Sequence, residues 1–149
     1  MIAKSKVHSA CLELLEKKIG IAKQGMEEAQ ASANNETKSS AGDKYETGRA
    51  MSQRERDLHA RQLSELMNMK KTLNTIASTK TMNTVELGAL VETNTLSYYI
   101  SAGLGVINFE KQQIMAISAI SPIAQAMLGK KVGDTFEWMK KENMILSVS

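Results

Sequence analysis

A chain of 149 residues is long enough for one domain or two small ones, and 42% apolar residues supply a core only if part of the chain is not fully globular. The net charge of +3 is too weak to argue for DNA binding by charge alone, and the single cysteine, Cys11, excludes an internal disulfide framework. No run of 18 apolar residues and no apolar leader after Met1 is present, which speaks against membrane insertion and secretion and makes a soluble cytoplasmic protein the expectation.

The composition changes along the chain. Tyr45 is the only aromatic residue before residue 95, whereas Tyr98, Tyr99, Phe109, Phe136 and Trp138 all follow it. Residues 1–80 carry 14 Lys and Arg against 10 Asp and Glu, and residues 81–149 carry 5 against 6, so the positive charge belongs to the first half. A first half made of Leu, Ile, Met, Ala and charged residues has the composition of long helices.

Leu12, Leu15, Ile19, Ala22, Met26, Ala29 and Ala33 recur at alternating spacings of three and four, which predicts a helix with a coiled-coil seam. Within it, Cys11 reads as a small packed hydrophobe, and neither His8 nor His59 makes a catalytic triad with it plausible. The seam residues shrink to alanine toward Asn34-Asn35, so a partner helix can approach closely. Turn signals between Ser39 and Gly42 precede a second helix expected from about Lys44 to Thr79, with Leu66, Met69, Leu73 and Ile76 as its seam. Its early part, Ser52 to Asp57, is polar nearly all round and implies either an external partner or solvent on most sides.

The stretch joining the helices, "SSAGDKYETGRA", puts Asp43 before a helix and Glu46 three residues later. Such a pair caps a helix end, the Asp accepting from backbone N–H groups and the Glu reaching back. The same two carboxylates, left untied, are hard oxygen donors that can share a metal ion. The residues alone leave both readings open. Arg49 and Arg56, and likewise Arg54 and Arg61, form two stripes along this half of the second helix, read either as a solvated face or as contacts to phosphates or an acidic wall.

From Met82 the texture becomes short runs of Val, Leu, Ile and Thr broken by glycine: "TVELGALVET", "TLSYYISAG", "QQIMAISAI", "DTFEWMKK" and "ENMILSVS" predict five strands. Between the third and fourth, Ser121 as N-cap, Pro122 at the first helical position and Gly129 at the end bound one short helix at about residues 122–128. Leu104, Val106, Ile107 and Phe109 read as ordinary core or interface residues.

The segment "SPIAQAMLGKKVGDTFEW", Ser121 to Trp138, resembles the signature of the C-terminal domain of the GreA/GreB transcript cleavage factors, with Ser-Pro, Gly129 and Gly133-Asp134 in that family's order and spacing. "VELGALVET" is similar to the opening strand of that domain and "MILSV" to its closing one. The resemblance implies an α+β chain: an N-terminal antiparallel coiled-coil hairpin over residues 1–80, and an FKBP-like β-rich domain with one short helix over residues 81–149. It implies a transcription elongation factor that binds RNA polymerase, inserts the hairpin in the secondary channel and meets the RNA 3′ end there. No enzyme activity of its own is implied. Nor is direct sequence-specific DNA binding or membrane association.

In that family the hairpin end carries Gly-Asp and, after two residues, Glu-Asn. "GDKYET" reproduces this pattern as Gly42, Asp43 and Glu46, while Thr47 stands in place of the Asn and Lys44-Tyr45 in place of the usual pair. By resemblance, Asp43 and Glu46 are the tip carboxylates that assist the polymerase, sharing a Mg²⁺ with it and binding no cofactor alone. Tyr45, Arg49, Arg54 and Arg56 are the expected contacts to polymerase or transcript. Two other classes remain: a non-cleaving channel regulator or coiled-coil adaptor, in which Asp43 and Glu46 are only a cap, and a prolyl isomerase, for which the domain has few aromatics to line a pocket.

Overall fold

The computed structural model describes residues 3–39 and 43–149, and the side chains of these except 35–39 and 43–47. Two long helices, α1 (Lys4–Ser39) and α2 (Asp43–Asn74), are followed by β1 (Leu90–Thr93), β2 (Ser97–Ser101), β3 (Gly105–Phe109), β4 (Gln112–Ser118), α3 (Pro122–Met127), β5 (Thr135–Trp138) and β6 (Lys141–Val148). The chain is α+β, as expected: a helical pair, then a β-rich domain with one short helix. It divides into two compact units, Leu15–Asn68 and Met1–Leu14 with Met69–Ser149.

In the unit Leu15–Asn68 the two helices form a hairpin. Leu15, Ile19, Ala22, Ala29 and Ala33 are buried and Met26 is half-buried, as the three-four spacing predicts, whereas Leu12, expected at the start of that seam, is only half-buried and Cys11 beside it is fully buried. Gly25 meets His59, and the Ser52 hydroxyl lies 3.4 Å from that of Ser32. The residue numbers of both pairs sum to 84, so the arms run antiparallel.

The helix α2 ends at Asn74, five residues before the Thr79 expected from the sequence. The backbone N–H of Thr75 bonds the Thr72 carbonyl at 3.1 Å, and its hydroxyl donates to the same oxygen at 2.6 Å. In a continuing helix that carbonyl would serve the N–H of Ile76, which instead reaches Leu73. Ile76 thereby leaves the seam and its side chain packs over Gly88, where an added Cβ would sit 3.0 Å from Ile76 Cγ2.

The second unit is built on a sheet of order β3-β4-β2-β1-β6-β5, antiparallel except for the β2–β4 pair. Side chains alternate between its faces. Val91, Tyr98, Ile100 and Ile117 join Ala124 and Met127 of α3, with Val85, Phe136 and Ile145, in one core. Leu90 pairs in register with Tyr99, and Tyr99 with Ala116, so these three share the opposite face, where all are buried and Tyr99 meets His8 of α1. Both faces of β2 are therefore covered.

Six strands stand where five were expected. The additional one, β3, is the edge strand "GVINF", in which only Ile107 is buried. Its alternation is too weak to separate it from a loop by sequence. The first expected strand is also shorter, because Gly88 at φ +93° and the Ala89 N–H to Glu86 carbonyl bond make a turn before Leu90.

Candidate functional site

Asp43 is the first residue of α2, one position inside the helix from the capping place expected of it, and Glu46 lies in the same first turn. The side chains of Asp43, Tyr45 and Glu46, like those of Lys44 and Thr47, lie outside the described residues. Two carboxylates at this spacing suit a Mg²⁺ that keeps its waters and are too few for a closed site. Among the described residues, no group of three or more His, Cys, Asp or Glu is placed to hold a metal. Further along α2, Arg49, Arg54, Arg56 and Arg61 are all exposed. The Arg56 guanidinium is 4.0 Å from the Asp57 carboxylate, an exposed pair worth about 0–1 kcal/mol that leaves the arginine available to another anion.

The seam behind this surface contains residues that the apolar pattern alone misses. Ser52, His59, Leu66 and Leu73 are each seven apart, so the α2 seam continues toward the hairpin end as a serine and a histidine. Ser52 is buried against Ser32. The His59 ring lies on the backbone of Gly25, where a Cβ would stand 2.6 to 2.9 Å from three ring atoms. His59 Nδ1 is buried and has no hydrogen-bond partner among the described residues. The heptad spacing carried this signal; hydrophobicity did not.

A second polar cluster lies where α1 meets the sheet. His8 Nδ1 is 2.7 Å from the Tyr99 hydroxyl, the rings are edge to face with centroids 6.0 Å apart, and both residues are buried. Burial, with Lys4 nearby, holds the His8 pKa below 6.5, and the neutral imidazole shares a hydrogen bond with the Tyr99 hydroxyl whose direction follows the ring tautomer. Burial also raises the Tyr99 pKa. The Lys4 ammonium donates to the Lys80 carbonyl, and burial lowers its pKa. Cys11 is fully buried, its thiol pushed up to about 12 by desolvation, so the packed reading holds and a nucleophile is disfavoured.

The residues from Ser121 to Asp134 that carry the sequence signature build structure. The Ser121 hydroxyl accepts from the Ala124 N–H at 3.4 Å and donates to the Ser118 carbonyl at 2.6 Å, and Pro122 opens α3. Gly129, at φ +80°, donates its N–H to the Val85 carbonyl. Gly133, at φ +90°, and Asp134 close a turn in which the Asp134 carboxylate accepts from the Lys131 N–H at 2.8 Å. Gly133 N–H and Asp134 C=O then bond the two sides of Ile145. A cavity of about 640 Å³ beside α3 has Phe136 as its one aromatic wall, with Lys130, Glu137, Lys140 and Glu142 around it.

Residues 80–149 match the family described as Transcription elongation factor, GreA/GreB, C-term. No curated protein matches the chain at significance. Among solved structures, one described as the transcription factor Gfh1 is 21% identical over 91% of each chain, with a TM-score of 0.36. Gfh1 from Thermus aquaticus is 23% identical over 94% of each chain, with a TM-score of 0.34.

Proposed function

We propose, from the match of residues 80–149 to the GreA/GreB C-terminal family, that the chain is a transcription elongation factor that binds RNA polymerase through this domain. On this reading it extends its hairpin into the polymerase's secondary channel and stimulates the polymerase's own cleavage of backtracked RNA. The family match carries the proposal, and Gly42-Asp43-x-x-Glu46 at the junction of α1 and α2 supports it.

The division of labour follows from the residue types. Asp43 and Glu46 bring two negative charges and hard oxygen ligands to one helical turn. A Mg²⁺ shared with the polymerase, when bound, polarises the phosphodiester and lowers the pKa of its water. Asp43 and Glu46 would hold such an ion through its waters, since two carboxylates are too few to cage it. Tyr45 stacks on a base of the displaced transcript, and the exposed Arg49, Arg54 and Arg56 draw in phosphates or acidic channel walls. The hydrolysis itself remains the polymerase's.

The departures at Lys44, Tyr45 and Thr47 favour a second reading, a channel regulator that does not cleave. One experiment separates them. Asn caps as well as Asp, and Gln can replace Glu in a capping box, so Asp43→Asn with Glu46→Gln preserves the helix start while removing both charges. Backtracked complexes at low Mg²⁺ should be cut faster with the parent than without it, and the double variant should lose most of that stimulation. Equal stimulation by the double variant excludes the carboxylate role. A parent that binds polymerase without stimulating cleavage selects the regulator, and one that does not bind selects an adaptor.

A further inference from the structure

Near the hairpin end the seam of α1 is almost featureless. Ala22, Ala29 and Ala33 are buried, with the half-buried and flexible Met26 among them, and so alanine-rich a seam does little to stop an opposing helix sliding by a heptad. One position breaks this uniformity. The His59 ring lies where a Cβ on Gly25 would stand, so the ring enters a notch that only glycine leaves open. A glycine inside a helix is unfavourable by itself, and the imidazole forgoes a hydrogen bond at Nδ1 by lying there. Two locally unfavourable choices meeting at one contact indicate selection for shape.

We propose that Gly25 and His59 form a register key, a ring in a notch that fixes the axial alignment of the two arms. It thereby fixes which residues join them. Every other residue of α1 carries a Cβ where the ring would have to go, Gly20 excepted, and Gly20 lies off the seam and exposed. The ring therefore has one seat. Ser32 and Ser52, also in register, add a polar contact but are small enough to tolerate a shift. His59 acts here as a positioning residue. Its bearing on transcription rests on the function proposed above, because only a tip that reaches into polymerase needs its carboxylates at a set distance along the hairpin.

The test is a distance measurement on the free protein, which does not depend on that function. Spin labels at the exposed positions Glu27 and Gln53, introduced as Cys, report the alignment, and the buried Cys11 with its raised pKa stays unlabelled. The parent should give one narrow distance. Gly25→Ala drives a methyl group into the ring and should lower the melting midpoint by several degrees. Gly25→Ala with His59→Ala relieves the clash and creates an alanine seam. That double variant should recover helicity and melting midpoint yet show a second population displaced by one heptad, about 10 Å along the axis. A single parent-like distance in the double variant overturns the key and leaves Gly25 and His59 as simple packing partners. So does a Gly25→Ala variant as stable as the parent. Cleavage assays on the same proteins address the other claim: a slipped hairpin that stimulates normally would count against the tip reading while leaving the key intact.

Discussion

Glu110 and Lys111 join β3 to β4, and Met139 and Lys140 join β5 to β6, all four at positive φ between 47° and 66°. Two-residue hairpin loops need this because turns of the type I′ kind match the twist of the strands, and Asn-Gly is the usual solution. Here no glycine supplies it, and each L-residue in the left-handed region costs about 1–2 kcal/mol. Replacing Lys111 or Lys140 by Gly removes that cost but gives the unfolded chain more freedom, so each change should raise stability by a net ~0.5 kcal/mol in urea titrations. Gly133→Ala should do the reverse, costing about 1–2 kcal/mol, since its φ of +90° disfavours any side chain.

His8 supplies a pH dependence of known sign. Its folded pKa is below the 6.5 of the unfolded chain, so the unfolded chain takes up the proton at higher pH. Its stabilising contribution is complete above about pH 6.5 and is lost as pH falls through that value toward the folded pKa. His8→Gln should flatten this part of the stability profile, read as the urea midpoint between pH 8 and pH 5.5. An unchanged slope would mean that His8 takes up its proton equally in both states.

At the scale of elements, what the sequence conveyed depended on whether a contact was made by apolar side chains. The α1 seam was visible because Leu15, Ile19 and the alanines announce burial by their chemistry. The tip half of the α2 seam was hidden because Ser52 and His59 look like surface residues. The end of α2 was hidden as well, since Thr75 stops the helix through a hydroxyl bond rather than through Gly or Pro. Strand β3 escaped because an edge strand that buries one residue has little pattern to show. The short helix α3, in contrast, was bounded correctly by its cap and its glycine. Ser121→Ala removes both hydroxyl contacts and should cost about 1 kcal/mol with no change in the fold, whereas Ser121→Asp should keep the cap. Equal stability of the two variants would show that Pro122 alone starts the helix.

For the whole molecule, the residues that made the family recognisable, Ser121, Pro122, Gly129, Gly133 and Asp134, shape the β-rich domain through a helix cap and turns. A signature can thus identify a domain without deciding what a distant tip does. That explains why the fold could be read from sequence while Asp43 and Glu46 kept two meanings, cap and ligand, which differ only in where two carboxylates point.

The unit that holds the sheet also contains the first turns of α1 and the last of α2. Tyr99, Leu90 and Ala116 are buried on the face where His8 lies, and Val7, Cys11 and Leu73 are fully buried in the same unit. Residues 82–149 alone would expose that face to water. Apolar surface uncovered at about 25 cal/mol per Å² quickly consumes the stability of so small a domain. The fragment 82–149 should therefore bind hydrophobic dyes and melt at a lower temperature with poor cooperativity. A chain lacking residues 15–68, with Leu14 joined to Met69 by a short Gly-Ser linker, should keep the His8–Tyr99 contact and melt as one unit. On the proposed function, this shortened chain should also compete with the full protein for polymerase while stimulating no cleavage. If the 82–149 fragment melts as sharply and as high as the shortened chain, the helical segments contribute nothing to the sheet's stability, and the buried contact between His8 and Tyr99 is incidental to it.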